Sequence, residues 1–272
     1  MAVRKTIFVT GGGSGIGRAI AQRFAREGWF VGLGDIDEAA MAETEALLPG
    51  GFTYCQRLDV SRRDEWDDAL RIVARASGGR IDVVANNAGI ALGGPLADYE
   101  QDEIDRILDV NLRGAIYGAQ AAYPWLRETA PGSCLLNTAS AAALYGMPGQ
   151  SLYGATKAGL RSLTESLDAE WARDGIKVRA LMPGFIDTPL LQGAPHRASA
   201  AKIRDGVVAA GLEFTPVEDV AEAAWQAVHG ERLHHLIGKT AKRLRFMGRW
   251  APNAVRRYAL QIAEARMEAA PE

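Results

Sequence analysis

The strongest constraint on this chain is a rhythm. A short β-branched run, a glycine-rich or polar turn, a longer stretch of helical periodicity and another short apolar run follow one another almost from end to end. That alternation predicts successive βαβ units. Strands are predicted at 6–10, 29–34, 53–58, 81–86, 133–138, 177–182 and 234–237, and helices at 15–27, 38–47, 62–76, 103–127, 151–173 and 217–229. Ser61, followed by Asp64 and Glu65, predicts the start of the third helix. The strands are apolar almost throughout, as in a parallel sheet covered on both faces. The expected fold class is therefore α/β: one doubly wound domain with a seven-stranded parallel sheet flanked by helices on both faces.

No repeat, low-complexity tract or linker divides the 272 residues, so a core unit over 1–238 and a helical extension of the same domain over 239–272 are expected. A net charge of −2 gives no field that would draw nucleic acid. The apolar run Thr6–Ile7–Phe8–Val9 is too short for a secretory signal, and no window reaches the ~18 apolar residues of a membrane span. With only Cys55 and Cys134 available for a disulfide, a reducing cytoplasm is expected. The histidines (His196, His229, His234, His235) have no Cys or carboxylate at ligand spacing, so no metal site is expected.

The first strand runs into Thr10–Gly11–Gly12–Gly13–Ser14–Gly15–Ile16–Gly17–Arg18, with helical periodicity from Ala19. Glycines at a strand-to-helix junction let the backbone approach a pyrophosphate, whose charge meets free N–H groups and the positive end of the helix dipole. This makes the domain Rossmann-type, with Gly11, Ser14, Gly15, Ile16 and Gly17 as nucleotide-binding candidates. Strand two ends in Gly34–Asp35–Ile36–Asp37, and Asp35 lies 24 residues beyond Gly11. A carboxylate there accepts hydrogen bonds from both ribose hydroxyls and meets a 2′-phosphate as a like charge, which favours NAD over NADP. The plainer role for Asp35 is to cap the next helix, for which Asp37 is better placed. Arg18 is the cation that could offset the repulsion.

Further along come Leu58–Asp59–Val60, Asn86–Asn87–Ala88–Gly89, Asn111, Ser140, Tyr153–Gly154–Ala155–Thr156–Lys157 and Pro183–Gly184–Phe185–Ile186–Asp187–Thr188. Together with the glycine turn, this set resembles the short-chain dehydrogenase/reductase family over about residues 5–238. Tyr-x-x-x-Lys alone is unspecific. Its coincidence with a serine 13 residues earlier, the Asn-Asn-Ala-Gly strand end and the glycine turn is specific. Ala139 departs from the second serine that many members carry, and the basic tail lies outside the common core.

The resemblance implies a catalytic set of Asn111, Ser140, Tyr153 and Lys157. Tyr153 and Lys157 share a helix face one turn apart, and a nearby ammonium lowers a phenol pKa from its usual value of about 10. Lys157 would supply that field and hold the nicotinamide ribose, Ser140 would orient the substrate oxygen, and Asn111 would hold a water for proton relay. The duller readings are a strand-end role for Ser140 and a stitching role for Asn111. By the same resemblance Asp59 and Val60, with Ile36, meet the adenine side. Asn86, Ala88 and Gly89 line the cofactor, and Pro183, Gly184, Ile186 and Thr188 hold the carboxamide and phosphate region.

The expected activity is NAD-dependent interconversion of a secondary alcohol and a ketone. Two alternatives stand beside it: a non-catalytic nucleotide-binding sensor or scaffold, and a 3-oxoacyl-thioester reductase. The segments implied to shape the substrate pocket, 90–96 and 141–150, are mostly apolar, which suits a hydrophobic substrate; a loop or lid over 184–211 adds His196, Arg197, Lys202 and Arg204. The resemblance also implies a homo-oligomer, a tetramer or else a dimer, through helices 103–127 and 151–173. Residues 239–266 carry eight basic residues against one acid, Glu264, interleaved with Leu244, Phe246, Met247, Trp250 and Tyr258. An amphipathic helix pair broken at Pro252 is expected. Its apolar stripe packs on the sheet or a neighbouring subunit, the alternative being peripheral contact with anionic lipid.

Overall fold

The computed structural model describes residues 4–193 and 202–268. β1 (Thr6–Thr10) leads through the glycine turn into α1 (Gly15–Arg26), β2 (Phe30–Asp35), α2 (Glu38–Ala46), β3 (Thr53–Arg57) and α3 (Arg63–Ala76). The second half runs β4 (Val83–Asn86), α4 (Gln101–Leu108), α5 (Gly114–Glu128), β5 (Cys134–Thr138), α6 (Ser151–Trp171) and β6 (Lys177–Pro183). Then come β7 (Phe185–Ile186), α7 (Ile203–Ala209), β8 (Phe214–Thr215), α8 (Val217–His229), β9 (His234–Ile237), α9 (Lys239–Trp250) and α10 (Pro252–Glu268).

Seven strands form one parallel sheet in the order β3-β2-β1-β4-β5-β6-β9. After β3 the chain crosses back to the other side of β1, so the carboxyl ends of β1 and β4 diverge and open a crevice between their loops. One face of the sheet is buried under α1, α2 and α8 through Ile20, Phe24, Met41, Val220 and Ala224. The other lies under α3, α5 and α6 through Trp66, Leu70, Val73, Ala122 and Trp171. Continuous burial of Thr6–Thr10 and Cys134–Thr138 is what two covered faces require.

Three expectations need correction. The predicted helix 103–127 is α4 and α5 joined by a π-helical turn, Asp109–Arg113. Widening the helix there turns the Asn111 amide inward, where Oδ1 accepts from Ile90 N and Nδ2 donates to Ile90 O, both at 2.8 Å. The third helix begins at Arg63, because Ser61 is held outside it: its backbone N and Oγ both donate to Asp59 Oδ1, at 3.0 and 2.7 Å. The stretch 184–211 is not a bare loop. It holds β7, a 3₁₀ turn at Pro189–Gln192 and α7, and β7 pairs with β8 in a two-stranded sheet. These pieces are too short to show a period of their own. His196 and Arg197 lie outside the described residues.

Asp37 caps α2 through Oδ1, which accepts from Ala40 N at 2.9 Å, leaving Asp35 free of that task. Pro252 stands at the first position of α10, where its missing N–H costs nothing. Both cysteines are free thiols. Among the described residues, no helix is long and apolar enough to cross a membrane.

Candidate active site

The crevice at the divergence of β1 and β4 opens into a cavity of about 2240 Å³. That exceeds the roughly 300–1,000 Å³ of an ordinary small-ligand pocket, so it has room for two ligands end to end. Its floor at one end is the glycine turn. Gly11 has φ +65°, and a Cβ there would lie 3.0 Å from Ala88 Cα, so only glycine fits between the two strand ends. Ser14 is extended at the start of α1 and makes no side-chain cap bond, and the first turn of α1 has no acidic residue. The positive end of the α1 dipole therefore faces the cavity uncompensated beside Ser14, Gly15 and Ile16, which suits a pyrophosphate.

Asp35 closes the same end. Its Oδ2 accepts from Gly13 N at 3.0 Å and its Oδ1 from Asp37 N at 3.1 Å, which fixes the carboxylate at the cavity wall beside the exposed Ile36. Arg18 does not reach that wall. Its guanidinium donates to Gly13 O (2.7 Å), Glu43 Oε2 (3.0 Å) and Thr44 Oγ1 (2.9 Å). Asp59, Val60, Ala88, Gly89, Pro183, Gly184, Ile186 and Thr188, the residues that the family resemblance implies at the cofactor, all line the cavity. This end has the shape, donors and acceptor that a dinucleotide needs.

Ser140, two residues past the end of β5, and Tyr153 and Lys157, on the first turns of α6, all line the same cavity. The Ser140 hydroxyl lies close enough to the Tyr153 phenol to lower its pKa, and Ser140 Oγ accepts from Ala142 N at 3.2 Å. Lys157 is buried, with Nζ donating to Thr138 O at 2.9 Å and lying 5.8 Å from the centre of the Tyr153 ring. Burial pulls its ammonium down from 10.5 to about 8. The phenol is not depressed, contrary to expectation: burial pushes Tyr153 up, and the nearby Ser140 hydroxyl only partly opposes it. At neutral pH the phenol is the protonated form.

A hydrogen-bond network with no signature in the local sequence ties these groups to the glycine turn. Asn87 Nδ2 donates to Thr10 O (3.0 Å), Thr138 Oγ1 donates to Asn87 Oδ1 (3.2 Å), and the Thr138 carbonyl receives Lys157. The relevant residues, Thr10, Asn87 and Thr138, sit at the carboxyl ends of three adjacent strands, a coincidence visible only once strand order is known.

Three predicted site residues lie behind the wall. Asn86 Nδ2 donates to Ala115 O and Asn137 Oδ1, both at 3.0 Å, so it stitches β4 to α5 and β5. Gly17 is a packing residue: a Cβ there would fall 2.0 Å from Gly11 O. Asn111 is buried, clamps the Ile90 peptide as described and lies 3.4 Å from Thr156 Oγ1. Conversely, the tail supplies wall residues that were not anticipated: Leu244, Met247, Val255, Tyr258 and Ile262. Amphipathic periodicity signals that such a face is covered, and says nothing of what covers it. Phe246 and Trp250 remain 65% and 68% exposed, so the tail's apolar residues do not form one buried stripe. Along helices 103–127 and 151–173, through which the homo-oligomer is expected, Ile107, Ala115, Ala119, Ala122 and Leu160 are buried within the chain.

Fold and site together define a Rossmann-fold oxidoreductase. Residues 5–198 match the family model for short chain dehydrogenases. The chain is 36% identical over 186 residues to an uncharacterised oxidoreductase of Staphylococcus aureus (strain USA300), covering 68% of this chain and 80% of that protein. It resembles a short-chain dehydrogenase/reductase from Burkholderia phymatum in complex with NAD, with 28% identity, a TM-score of 0.78 and coverage of 85% of this chain and 88% of that one. It also resembles a 3-ketoacyl-(acyl-carrier-protein) reductase from Brucella melitensis complexed with NADH, with 29% identity, a TM-score of 0.76 and coverage of 88% and 98%. The chain belongs to the short-chain dehydrogenase family.

Proposed function

We propose that the protein interconverts a hydrophobic secondary alcohol and its ketone using NAD. The observation that carries this reading is the convergence of Ser140, Tyr153 and Lys157 on one cavity whose other end is the glycine turn and Asp35. A bound nicotinamide would give or take the hydride at the carbinol carbon. Ser140 would donate its hydroxyl hydrogen to the substrate oxygen and hold it beside Tyr153. In reduction the Tyr153 phenol gives its proton to that oxygen, and burial keeps the phenol protonated for this step. Lys157 would hold the ribose hydroxyls, and Asn111, through the Ile90 clamp, would hold the 88–90 wall in place, with a relay water as its further role.

The preference for NAD rests on Asp35, which would face a 2′-phosphate at short range, and on Arg18, which is engaged elsewhere. A 3-oxoacyl thioester is the second reading, supported by the likeness to the Brucella melitensis reductase. A sensor or scaffold without turnover would not need a buried lysine beside the phenol, which argues against it. A homo-oligomer, tetramer or else dimer, accompanies the reading, and a monomer mass by light scattering at micromolar concentration contradicts it.

The test is Tyr153→Phe. With a panel of apolar ketones and NADH, turnover falls by about 10²-fold or more, in line with loss of a general acid, while NADH affinity stays within about twofold. Retained turnover refutes the assignment of Tyr153.

A further inference from the structure

We infer that α9 and α10 form the far wall of the substrate site and that the substrate carries an elongated, uncharged apolar tail lying against them. The inference rests on the proposed alcohol/ketone chemistry and names the substrate class within it. These helices lie beyond the segment that matches the family model, which ends at residue 198. They are nonetheless built against the catalytic segment. A Cβ on Gly248 of α9 would lie 3.7 Å from Leu144 O and 3.9 Å from Tyr145 Cδ2, only four or five residues beyond Ser140. At the other end of α9, a Cβ on Gly184 would lie 3.5 Å from Thr240 Cβ. So α9 spans from the cofactor-side strand end to the loop that follows Ser140.

The inward face of the pair is apolar. Leu244 and Met247 are one turn apart on α9, Val255 and Ile262 two turns apart on α10, and all four line the cavity that holds Ser140 and Tyr153. Across the gap α7 contributes Ile203 and Val207 to the same cavity. Three cationic residues of these segments line the cavity at its margins, Lys239 and Arg243 of α9 and Lys202 beside α7, whose Nζ donates to Gln192 Oε1 at 3.3 Å; the others described in the tail stay out of it. Lys242, Arg249, Arg256 and Arg257 are exposed and absent from the lining, Lys239 is paired with Glu213 at 3.1 Å, and Arg243 is exposed at the rim. A groove with two apolar walls, starting at the Ser140–Tyr153 pair, selects for alkyl surface leading away from the reacting carbon. A compact polar substrate would leave most of that wall uncovered.

The test compares 2-butanone, 2-hexanone, 2-octanone and 2-decanone with NADH in the full-length wild type, Leu244→Trp and Met247→Trp. In the wild type kcat/KM rises by about 2–4-fold per added methylene. Each tryptophan fills the groove and cuts the ratio of 2-decanone to 2-butanone kcat/KM by at least about tenfold, with NADH affinity reporting that the variant is folded. A flat series, or a chain-length gain unchanged in both variants, overturns the inference and leaves the alcohol/ketone reading standing if the ketones are reduced. Calorimetric titration of the ketones into the NADH-saturated protein separates the two failures. A chain-length gain in binding without turnover supports the apolar wall and refutes the reading, and no gain in binding refutes the wall.

Discussion

The two ends of the cavity are built by opposite means. At the cofactor end, backbone atoms come within contact of one another and polar groups are fixed by short hydrogen bonds. Gly11, Gly13 and Gly17 sit where added atoms have no room, and Asp35 is held by two N–H groups. At the far end the cavity wall is made by side chains of α9 and α10, Leu244, Met247, Val255 and Ile262 among them, and a Cβ on Gly248 would make only ordinary contacts, at 3.7 Å and beyond. The difference teaches that one end is specified atom by atom and tolerates little, whereas the other is specified by apolar area and shape and can vary with the substrate.

Substitutions of glycine test that contrast first. Gly17→Ala puts a methyl 2.0 Å from Gly11 O, a backbone atom, so α1 must back away from the turn. The expected cost is about 3 kcal/mol by chemical denaturation, the upper part of the overpacking range, together with loss of NADH binding. Gly248→Ala, inside α9 with no neighbour closer than 3.7 Å, should instead stabilise by roughly 0.5–1 kcal/mol. Equal effects at the two positions would erase the distinction.

A change at the junction sharpens it, with an effect between those two. Lys157 has a pKa of about 8 in the fold against 10.5 unfolded, so the unfolded chain binds the extra proton between those values and stability rises with pH across that window. Below pH 8 the full cost of holding the buried ammonium applies. Lys157→Met removes a cost on the order of 3 kcal/mol, offset in part by the lost bond to Thr138 O. We expect a variant that is inactive yet about 1–2 kcal/mol more stable near pH 7, its advantage shrinking as pH approaches 10.5. A variant destabilised at every pH would show that Lys157 is held as structure and not for its charge.

Much of this was legible in the sequence because it is local. Each βα unit carries its own periodicity, and the glycine turn, Asp35 and Tyr153–Lys157 are short-range patterns whose geometry follows from strand and helix periods. What was not legible depends on distant packing. The π turn at Asn111 exists to meet Ile90, Asn86 turns away to meet Asn137 and Ala115, and Thr10–Asn87–Thr138 form a network only across three strands. A helical spacing reveals the nearby ammonium and hides the depth of burial, so it points the Tyr153 shift in the wrong direction. The tail's pattern predicts an amphipathic pair and carries no sign that its inward residues line the cavity.

The central claim is that the glycine turn and Asp35 make a site for NAD. Parallel fluorescence titrations of the wild type and Asp35→Ala with NADH and NADPH test it most directly. The account predicts that the wild type binds NADH at least about tenfold more tightly than NADPH, because the carboxylate repels the 2′-phosphate. It also predicts that Asp35→Ala brings the two affinities to within a few-fold. Equal wild-type affinities, or a preference that survives in Asp35→Ala, would contradict it.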